Sequence, residues 1–178
     1  MPMEQLLKSL IRDVPDFPKP GVVFKDITPL LALPAARRQV VEAIAKHYRD
    51  TRIDALAATE ARGFIFGTLL AQELNVPFIP VRKSGKLPYK IIHEEYDLEY
   101  GRASIEMHTD AVKKGWRVLV HDDLLATGGT SSATARMIQS LEGEIAGFSF
   151  IINLGFLAGE KILTNRFSVK PHYLISYA

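Results

Sequence analysis

The sequence predicts an α/β fold in which a mainly parallel, twisted sheet is flanked by helices. Short apolar strands alternate with helices along most of the chain, and such alternation implies right-handed crossovers between parallel strands. Each strand is followed by a polar break and then by an apolar, helix-forming segment. The 178 residues contain no internal repeat and no linker, so we expect one domain over residues 1–178.

The first half of the chain begins with two helices separated by a segment unable to form regular structure. Residues 14–21 hold three prolines and a glycine, which exclude both a helix and a strand. In the second helix, Val40, Val41 and Ile44 recur at helical spacing. The predicted elements are, in order, a helix over 3–12, irregular chain over 14–21, a helix over 35–48, a strand over 53–59, a polar break over 60–63, a helix over 64–74 and a strand over 76–82.

The second half interrupts this alternation once and then resumes it. Residues 83–95 are polar and contain proline and glycine, so we expect a loop there. The later elements are two short strands over 96–108 with a turn at Tyr100–Gly101, a strand over 116–122, a glycine-rich loop, a helix from about Thr130, a strand over 144–154 and an edge strand over 172–178. In such sheets ligands bind at the carboxyl ends of strands, which directs attention to the loops 60–63, 83–95 and 122–130.

The most informative motif is VLVHDDLLATGGT, residues 118–130. A buried strand ends at two acids, and the small residues and paired glycines after them let the backbone curl closely around an anion. The helix that follows adds unpaired N–H groups and the positive end of its dipole. We call residues 126–130 the phosphate cup; its members are Ala126, Thr127, Gly128, Gly129 and Thr130. The alternative is a structural helix cap, with the acids as the capping residues.

The two acids, Asp122 and Asp123, suit the binding of hydroxyl groups. Adjacent strand residues point to opposite faces, so both can contact one ligand only if the chain turns directly after the strand. Their spacing disfavours a pair of carboxylates placed on either side of a glycosidic bond. Ionised carboxylates, by contrast, accept hydrogen bonds from hydroxyls well.

Positive charge is concentrated on two loops at the same predicted sheet edge. Arginine offers forked donors to phosphate oxygens and lysine a mobile point charge, so these side chains could bind a pyrophosphate. They are Arg62, Arg82, Lys83 and Lys86. Gly63 would let the backbone come close at the polar break. The alternative is a solvated charged face, and neither a P-loop nor a GxGxxG motif is present to support another phosphate site.

Composition excludes several classes of protein. The absence of cysteine rules out disulfides, iron–sulfur clusters, thiolate zinc sites and a cysteine nucleophile. A net charge of +2 is too small to favour nucleic acid or an anionic membrane as a partner. The first residues do not resemble a secretory signal, and no stretch reaches the roughly 18 apolar residues of a membrane span. We therefore expect a cytoplasmic location.

The acid pair, the short apolar link, the ATGGT sequence and the helix after it resemble the signature of the type I phosphoribosyltransferases. The resemblance implies that Asp122 and Asp123 bind the ribose hydroxyls of 5-phosphoribosyl 1-pyrophosphate and that residues 126–130 bind its 5′-phosphate. It also implies that Mg²⁺ is carried by the pyrophosphate and ribose oxygens, without dedicated protein ligands.

Three further stretches are similar to the adenine phosphoribosyltransferases within that family. Residues 15–31 resemble the small amino-terminal base-binding segment, and residues 60–67 the pyrophosphate loop, which has a cis peptide at Glu60–Ala61 in the family. Residues 81–88 and 96–101 resemble the flexible catalytic loop. The resemblance implies transfer of the phosphoribosyl group to adenine, giving AMP and pyrophosphate in purine salvage, by a homodimer.

The same resemblance assigns roles to further residues. Glu99 matches the catalytic carboxylate, within a lid over 83–100, and Tyr100 joins the pyrophosphate contacts. The residues assigned to the base are Val23, Phe24, Lys25, Leu124 and Leu154, although a core role for either leucine is equally open. Two positions depart from the family: Lys25 stands where many members have arginine, and His121 where an aliphatic residue is usual.

Three alternatives remain open at this stage. The first is a sister enzyme for hypoxanthine, xanthine or orotate, which residues 15–31 and 96–101 disfavour. The second is a donor-sensing regulator that binds nucleic acid, which lacks room for a DNA-binding domain before residue 15 and would not need Glu99. The third is a generic nucleotide-binding module.

Overall fold

The helices and strands follow the predicted alternation closely. The computed structural model describes residues 2–97 and 102–178, and of residue 97 it describes the main chain alone. The strands are β1 Arg12–Pro15, β2 Val23–Asp26, β3 Ala55–Thr59, β4 Phe78–Lys83, β5 Ile91–Asp97, β6 Arg102–His108, β7 Arg117–His121, β8 Leu124–Leu125, β9 Glu144–Leu154 and β10 His172–Tyr177. The helices are α1 Met3–Leu10, α2 Thr28–Ala32, α3 Pro34–His47, α4 Arg62–Leu74, α5 Gly129–Ser140 and α6 Gly159–Phe167.

The main sheet has the order β10-β9-β7-β3-β4-β6-β5, with β8 also paired to β9. Strands β10, β9, β7, β3 and β4 run parallel to one another, whereas β6 is antiparallel to both β4 and β5. The expectation of a mainly parallel sheet is confirmed. Strands β1 and β2 form a separate antiparallel pair beside it.

Helices cover both faces of the sheet because side chains alternate along each buried strand. In β3, Leu56 and Ala58 belong to a core cluster that includes residues of α1, α3 and α4. Ala55 and Ala57 face the opposite cluster, which includes residues of α5 and α6. Both faces are dry, and the five residues of β3 are all buried. No helix among the described residues is long and apolar enough to cross a membrane.

Two parts of the sequence-based assignment are wrong. The loop expected over 83–95 ends early, because β5 begins at Ile91 and pairs in register with β6. This strand lies at the edge of the sheet, where one long side pairs with no other described strand and polar side chains remain accessible. The proline-rich stretch 14–21 contributes Val14 and Pro15 to β1, since an edge strand tolerates proline. Helices α2 and α6 were not predicted, and both are short.

Candidate functional site

The two acids lie where β7 ends, at the carboxyl edge of the parallel strands. Strand β7 ends at His121, and the backbone N–H of Asp123 donates to Asp122 Oδ1 at 2.9 Å. Asp123 is almost fully buried, with 3% of its surface exposed, whereas Asp122 is half-buried. The sheet hydrogen bonds of β7 extend to Asp122, whose backbone N–H donates to the carbonyl oxygen of Ser149 at 3.2 Å, so the acid pair lies at the end of the strand.

Burial dominates the electrostatics of this pair. It raises the pKa of Asp122 well above its usual value, and the neighbouring charge of Asp123 raises that pKa further. Burial also raises the pKa of Asp123, against the opposing effect of the Arg62 guanidinium. Two adjacent carboxyls are thus held in a place that disfavours their charge. Hydroxyl donors or a cation at this point would relieve that penalty.

Arg62 joins the acid pair to the amino-terminal segment. Its Nε lies 3.0 Å from Asp123 Oδ2, and its Nη1 donates to the carbonyl oxygen of Lys25 at 3.1 Å. The guanidinium also lies 4.7 Å from the centre of the Phe24 ring, a cation–π distance. Sequence reasoning grouped Arg62 with the cations of the next loop, and these contacts with Asp123, Lys25 and Phe24 were not foreseen.

Gly63 allows the polar break to approach the acids closely. A Cβ atom at this position would lie 2.8 Å from Asp122 Oδ1 and 3.3 Å from Asp122 Cα, too close for any side chain. The approach of Gly63 to Asp122 was not foreseen, and the approach expected toward a pyrophosphate stays a prediction. This contact brings the loop after β3 beside the loop after β7.

The phosphate cup leads into α5 with no side-chain cap. The N-cap residue is Gly128, in the left-handed region at φ +79°, and among the described residues no side chain caps the helix by hydrogen bonding. The alternative in which Asp122 and Asp123 serve as caps for α5 is therefore wrong. The first N–H groups of the helix remain available to an anion.

Ser132 is a polar residue at the cup that sequence reasoning missed. It lies in the first turn of α5, is 1% exposed, and its Oγ has no hydrogen-bond partner among the described residues. Together with Thr127 and Gly129 it lines a cleft of 370 Å³. The other residues around this cleft are Glu95, Tyr96, Arg136, Ile162 and Arg166. The sequence did contain a signal for Ser132: a hydroxyl residue occupies a buried helical position shortly after the TGGT sequence.

Glu60 binds one of the expected cations of the second loop, Arg82, and the backbone of another, Lys83. Its Oε2 lies 2.7 Å from Arg82 Nε, and its Oε1 accepts from the backbone N–H of Lys83 at 2.8 Å. Arg82 Nη1 also donates to the carbonyl oxygen of Lys86 at 2.9 Å. Burial opposes the charge of Glu60, but these hydrogen bonds outweigh it and lower the pKa of its carboxyl. The Glu60–Ala61 peptide is cis, as the resemblance implied.

Glu106 holds the beginning of the same loop by accepting hydrogen bonds from it. Its Oε1 accepts from Ser84 Oγ at 2.7 Å and from the N–H of Gly85 at 2.9 Å. These hydrogen bonds lower the pKa of the Glu106 carboxyl, which is 6% exposed. The carboxylate is thus satisfied by protein donors.

The amino-terminal segment presents main chain, not the lysine side chain, toward the acids. Lys25 Nζ pairs with Asp13 Oδ1 at 2.6 Å and lies 3.8 Å from the centre of the Tyr177 ring. Phe24 packs edge-to-face on Phe17, with ring centres 5.1 Å apart. The departure from arginine at Lys25 therefore concerns contacts to β1 and β10. Of the other base candidates, Val23 is exposed, and Leu124 and Leu154 are half-buried against the core.

His121 is a buried neutral residue beneath the acids. Its Nδ1 lies 3.2 Å from Ser149 Oγ, and burial lowers the pKa of the imidazole to about 4. Its Cδ2 would lie 3.6 Å from a Cβ at Gly67, so it packs between sheet and α4. This departure from the family affects packing.

Two predicted residues cannot be placed. Glu99 and Tyr100 lie outside the described residues, as does the turn expected at Tyr100–Gly101. The strands on either side pair with each other up to Asp97 opposite Arg102. Within residues 2–97 and 102–178, no group of three or more His, Cys, Asp or Glu side chains could hold a metal ion.

Comparison with known proteins agrees with this geometry. The family model of the phosphoribosyl transferase domain matches residues 26–161. The chain belongs to the phosphoribosyltransferase family. This phosphoribosyltransferase is 54% identical, over 158 residues, to the adenine phosphoribosyltransferase of Cytophaga hutchinsonii, covering 89% of the chain and 87% of the relative.

Solved structures show the same fold over almost the whole phosphoribosyltransferase chain. The crystal structure of adenine phosphoribosyltransferase from Thermoanaerobacter pseudethanolicus matches with a TM-score of 0.93 and 47% identity, covering 97% of this chain and 99% of that one. The APRTase from Giardia lamblia, complexed with 9-deazaadenine, matches with a TM-score of 0.93 and 31% identity, covering 100% and 99%. The predicted fold class is confirmed.

Proposed function

We propose that this chain transfers the 5-phosphoribosyl group of 5-phosphoribosyl 1-pyrophosphate to adenine, giving AMP and pyrophosphate in purine salvage. The observation that supports it most is the junction at Arg62, which contacts both Asp123 and the Lys25 carbonyl. It places the acid pair expected for the sugar beside the segment expected for the base. Relatives of this chain at about half identity are named adenine phosphoribosyltransferases.

The sugar phosphate is bound through its two ends. Asp122 and Asp123 accept hydrogen bonds from the ribose 2′ and 3′ hydroxyls, and these donors would offset the burial that raises the pKa values of both carboxyls. The 5′-phosphate is bound by the N–H groups and hydroxyls of residues 126–130, at the uncapped start of α5. Ser132 Oγ is a further candidate donor because it has no described partner.

The base is recognised by the amino-terminal segment. Phe24 stacks on the purine, while main-chain groups of Val23 and Lys25 read its polar edge. Arg62 fixes the Lys25 carbonyl at 3.1 Å, which keeps this edge in place without using the lysine side chain. Leu124 and Leu154 close the pocket. An unmatched polar group costs about 1–3 kcal/mol, enough to separate 6-amino from 6-oxo purines.

The leaving pyrophosphate is bound by positive charge from two loops. Arg82, Lys83 and Lys86 stand on the loop that Glu60 and Glu106 hold, and Arg62 and Tyr100 complete the set. Mg²⁺ would be carried by the pyrophosphate and ribose oxygens, where a hard cation would offset negative charge on the leaving group. We expect no ligand set made of protein side chains alone.

Chemistry takes place at ribose C1. Its bond to the pyrophosphate oxygen breaks, a bond to a purine nitrogen forms, and the purine loses one proton. The sugar gains positive charge in the transition state, which a dry and preorganised site stabilises. Glu99 assists the proton movement, an effect typically of about 10²–10⁴-fold. The lid over 83–100 excludes water that would otherwise hydrolyse the donor.

Assembly and location extend this proposal. We expect a single domain over 1–178 acting as a cytoplasmic homodimer. Exposed apolar side chains at Leu33, Ile65 and Leu69 offer a surface for the second copy. Sedimentation velocity measures the mass, and a monomer at micromolar concentration would contradict the dimer.

A panel of four bases tests the proposed reaction. Adenine, hypoxanthine, xanthine and orotate are each mixed with 5-phosphoribosyl 1-pyrophosphate, Mg²⁺ and the protein, and nucleotide and pyrophosphate are measured. We expect AMP from adenine and at least about 10²-fold lower kcat/KM for the other bases. Preference for another base would reassign the substrate. The absence of pyrophosphate with all four bases would contradict the proposed transferase activity.

A further inference from the structure

Lys25 is held at both its main chain and its side chain, by three different elements. Its carbonyl oxygen accepts from Arg62 Nη1 on α4 at 3.1 Å. Its ammonium pairs with Asp13 Oδ1, on the facing position of β1, at 2.6 Å and lies 3.8 Å from the centre of the Tyr177 ring on β10. The lysine therefore connects the separate β1–β2 pair to the last strand of the main sheet.

The ammonium of Lys25 is buried enough to need both of its partners. The lysine side chain is 9% exposed, whereas that of Asp13 is 55% exposed. A cation removed from water loses hydration that an ion pair with a solvated carboxylate replaces only in part. The face of an aromatic ring carries the negative part of its quadrupole and attracts a cation at this distance. The Tyr177 ring thus supplies attraction that the exposed carboxylate does not.

Tyr177 suits this contact because its ring is neutral and its main chain is fixed. Burial raises the pKa of the phenol, and the nearby charge of Asp13 raises it further, so the residue acts through its ring face and not as a phenolate. The carbonyl oxygen of Tyr177 accepts from the N–H of Gly155 at 2.7 Å, and the residue stands opposite Leu154 where β10 pairs with β9. The ring therefore projects from a position that is bound to the main sheet.

We propose that Tyr177 is a positioning residue that sets, through Lys25, where the main chain of β2 presents its polar groups to the purine base. This inference rests on the proposed transferase function. Tyr177 acts on the base at second hand: it holds the side chain of the same residue whose carbonyl oxygen Arg62 holds. Without the ring the ammonium turns toward solvent, and the main-chain groups of β2 lose their fixed place beside the acid pair.

Steady-state kinetics separates this role from a general loss of structure. In Tyr177→Leu we expect the KM for adenine to rise about fivefold, as the loss of a shielded cation–π contact implies. The KM for 5-phosphoribosyl 1-pyrophosphate should change less than about twofold, because the acid pair and the phosphate cup are untouched. Tyr177→Phe keeps the ring and should have the adenine KM of the unaltered protein. An unchanged adenine KM in Tyr177→Leu, or an equal rise in both KM values, would overturn the positioning role.

A double-mutant cycle tests whether the effect passes through Lys25. Lys25→Met keeps the main chain and a long stem but removes the ammonium, and it should raise the adenine KM by a similar factor. Lys25→Met/Tyr177→Leu should then be no worse than the single variants, because both changes remove one interaction. Losses that multiply in the double variant would show that Tyr177 acts independently of Lys25, which contradicts the proposal.

The matched control is Tyr173→Leu, the same substitution on the same strand. Tyr173 packs against the other core cluster, and its hydroxyl donates to Glu160 Oε2 at 3.1 Å. We expect both KM values of this variant to stay within about twofold of those of the unaltered protein. A rise in adenine KM as large as that of Tyr177→Leu would show that any weakening of β10 disturbs the site, and the specific role of Tyr177 would be lost.

Hydrogen exchange provides a readout that does not depend on activity. In the ligand-free protein, Tyr177→Leu should speed amide exchange in residues 23–26 of β2, while exchange in 117–121, the central strand β7, stays unchanged. Equal exchange in 23–26 for Tyr177→Leu and the unaltered protein would contradict the inference even if AMP is formed. If the unaltered protein forms no nucleotide, the proposed function fails, and the exchange comparison still decides whether Tyr177 holds β2.

Discussion

Two pairs of carboxylates at one edge of the sheet have opposite electrostatics. Asp122 and Asp123 have pKa values raised by burial; the charge of Asp123 raises the pKa of Asp122 further, and Arg62 only partly offsets the effect of burial on Asp123. Glu60 and Glu106 have lowered pKa values, because Arg82, Ser84 and backbone N–H groups donate to them. Asp123 and Glu106 are both almost inaccessible to solvent, yet burial is the dominant influence on the aspartates, whereas donated hydrogen bonds outweigh burial at the glutamates.

The difference lies in whether the protein itself satisfies the charge. Glu60 and Glu106 have their donors within the fold, and they shape the loop that starts at Lys83. The aspartates have few protein donors, and a ligand with hydroxyl groups supplies what is missing. The glutamates are therefore expected to stabilise the fold. The aspartates are expected to bind the ligand and to lower the stability of the ligand-free protein.

The largest expected difference is in activity. Asp123→Asn keeps the size of the side chain but removes the charge facing Arg62 and the ribose hydroxyls, and we expect kcat/KM for the donor to fall about 10²-fold or more. Glu106→Gln, the matched change in the other pair, should reduce it less than about tenfold. Steady-state kinetics on both variants makes the comparison, and equal losses would remove the distinction between the pairs.

A smaller effect is expected from crowding the acid pair. Gly63→Ala places a methyl group 2.8 Å from Asp122 Oδ1, so the acid or the loop must shift. We expect donor KM to rise about tenfold, since misplacement by a fraction of an ångström weakens a charged hydrogen bond.

The control for this change is Gly115→Ala, where φ is +74° and nothing lies within 4 Å of the added atom. It should lower stability by about 1 kcal/mol through backbone strain, without changing KM. Similar KM values for the two alanine variants would show that the approach of Gly63 to Asp122 is unimportant.

The smallest effect, and the most diagnostic, is the dependence of stability on pH. The raised pKa of Asp122 means that its charge destabilises the fold at neutral pH. We therefore expect the free energy of unfolding of Asp122→Asn to be about 1 kcal/mol higher than that of the unaltered protein at pH 7. This advantage should shrink as the pH falls through the raised pKa toward the usual 3.8, where the native aspartate is protonated.

Glu106→Gln should behave in the opposite way. The lowered pKa means that its carboxylate stabilises the fold above the usual 4.5, and this contribution is lost only as the pH falls through the still lower folded value. We expect the free energy of unfolding of Glu106→Gln to be about 1 kcal/mol below that of the unaltered protein at both pH 7 and pH 5.5. Denaturant unfolding at both pH values measures the change in the free energy of unfolding for each variant, and changes of the same sign at pH 7 would contradict the assignment.

How far the sequence predicts the molecule differs between these regions. The acid pair, the cup and the helix after it are consecutive, so local patterns predict their structure; strand 144–154 also agrees residue for residue with β9. The contacts of Arg62 with Asp123 and Lys25 join positions far apart in the chain, and periodicity contains no information about them. The same holds for Glu106 with Ser84 and for Lys25 over the ring of Tyr177.

The edge of the sheet was harder to predict than its centre. Residues 83–95 are mostly polar and so were read as a loop, yet in-register pairing with β6 makes residues 91–95 part of a strand. Central strands such as β3 are buried on both faces and leave a clear apolar run, whereas an edge strand does not. The roles of Glu99 and Tyr100 stay predictions.

A crystal structure with AMP tests the central claim most directly. We expect both ribose hydroxyls within about 3.2 Å of carboxylate oxygens of Asp122 and Asp123, and the 5′-phosphate on the N–H groups of residues 127–130. A nucleotide bound elsewhere, with the two aspartates facing only protein and solvent, would contradict the account.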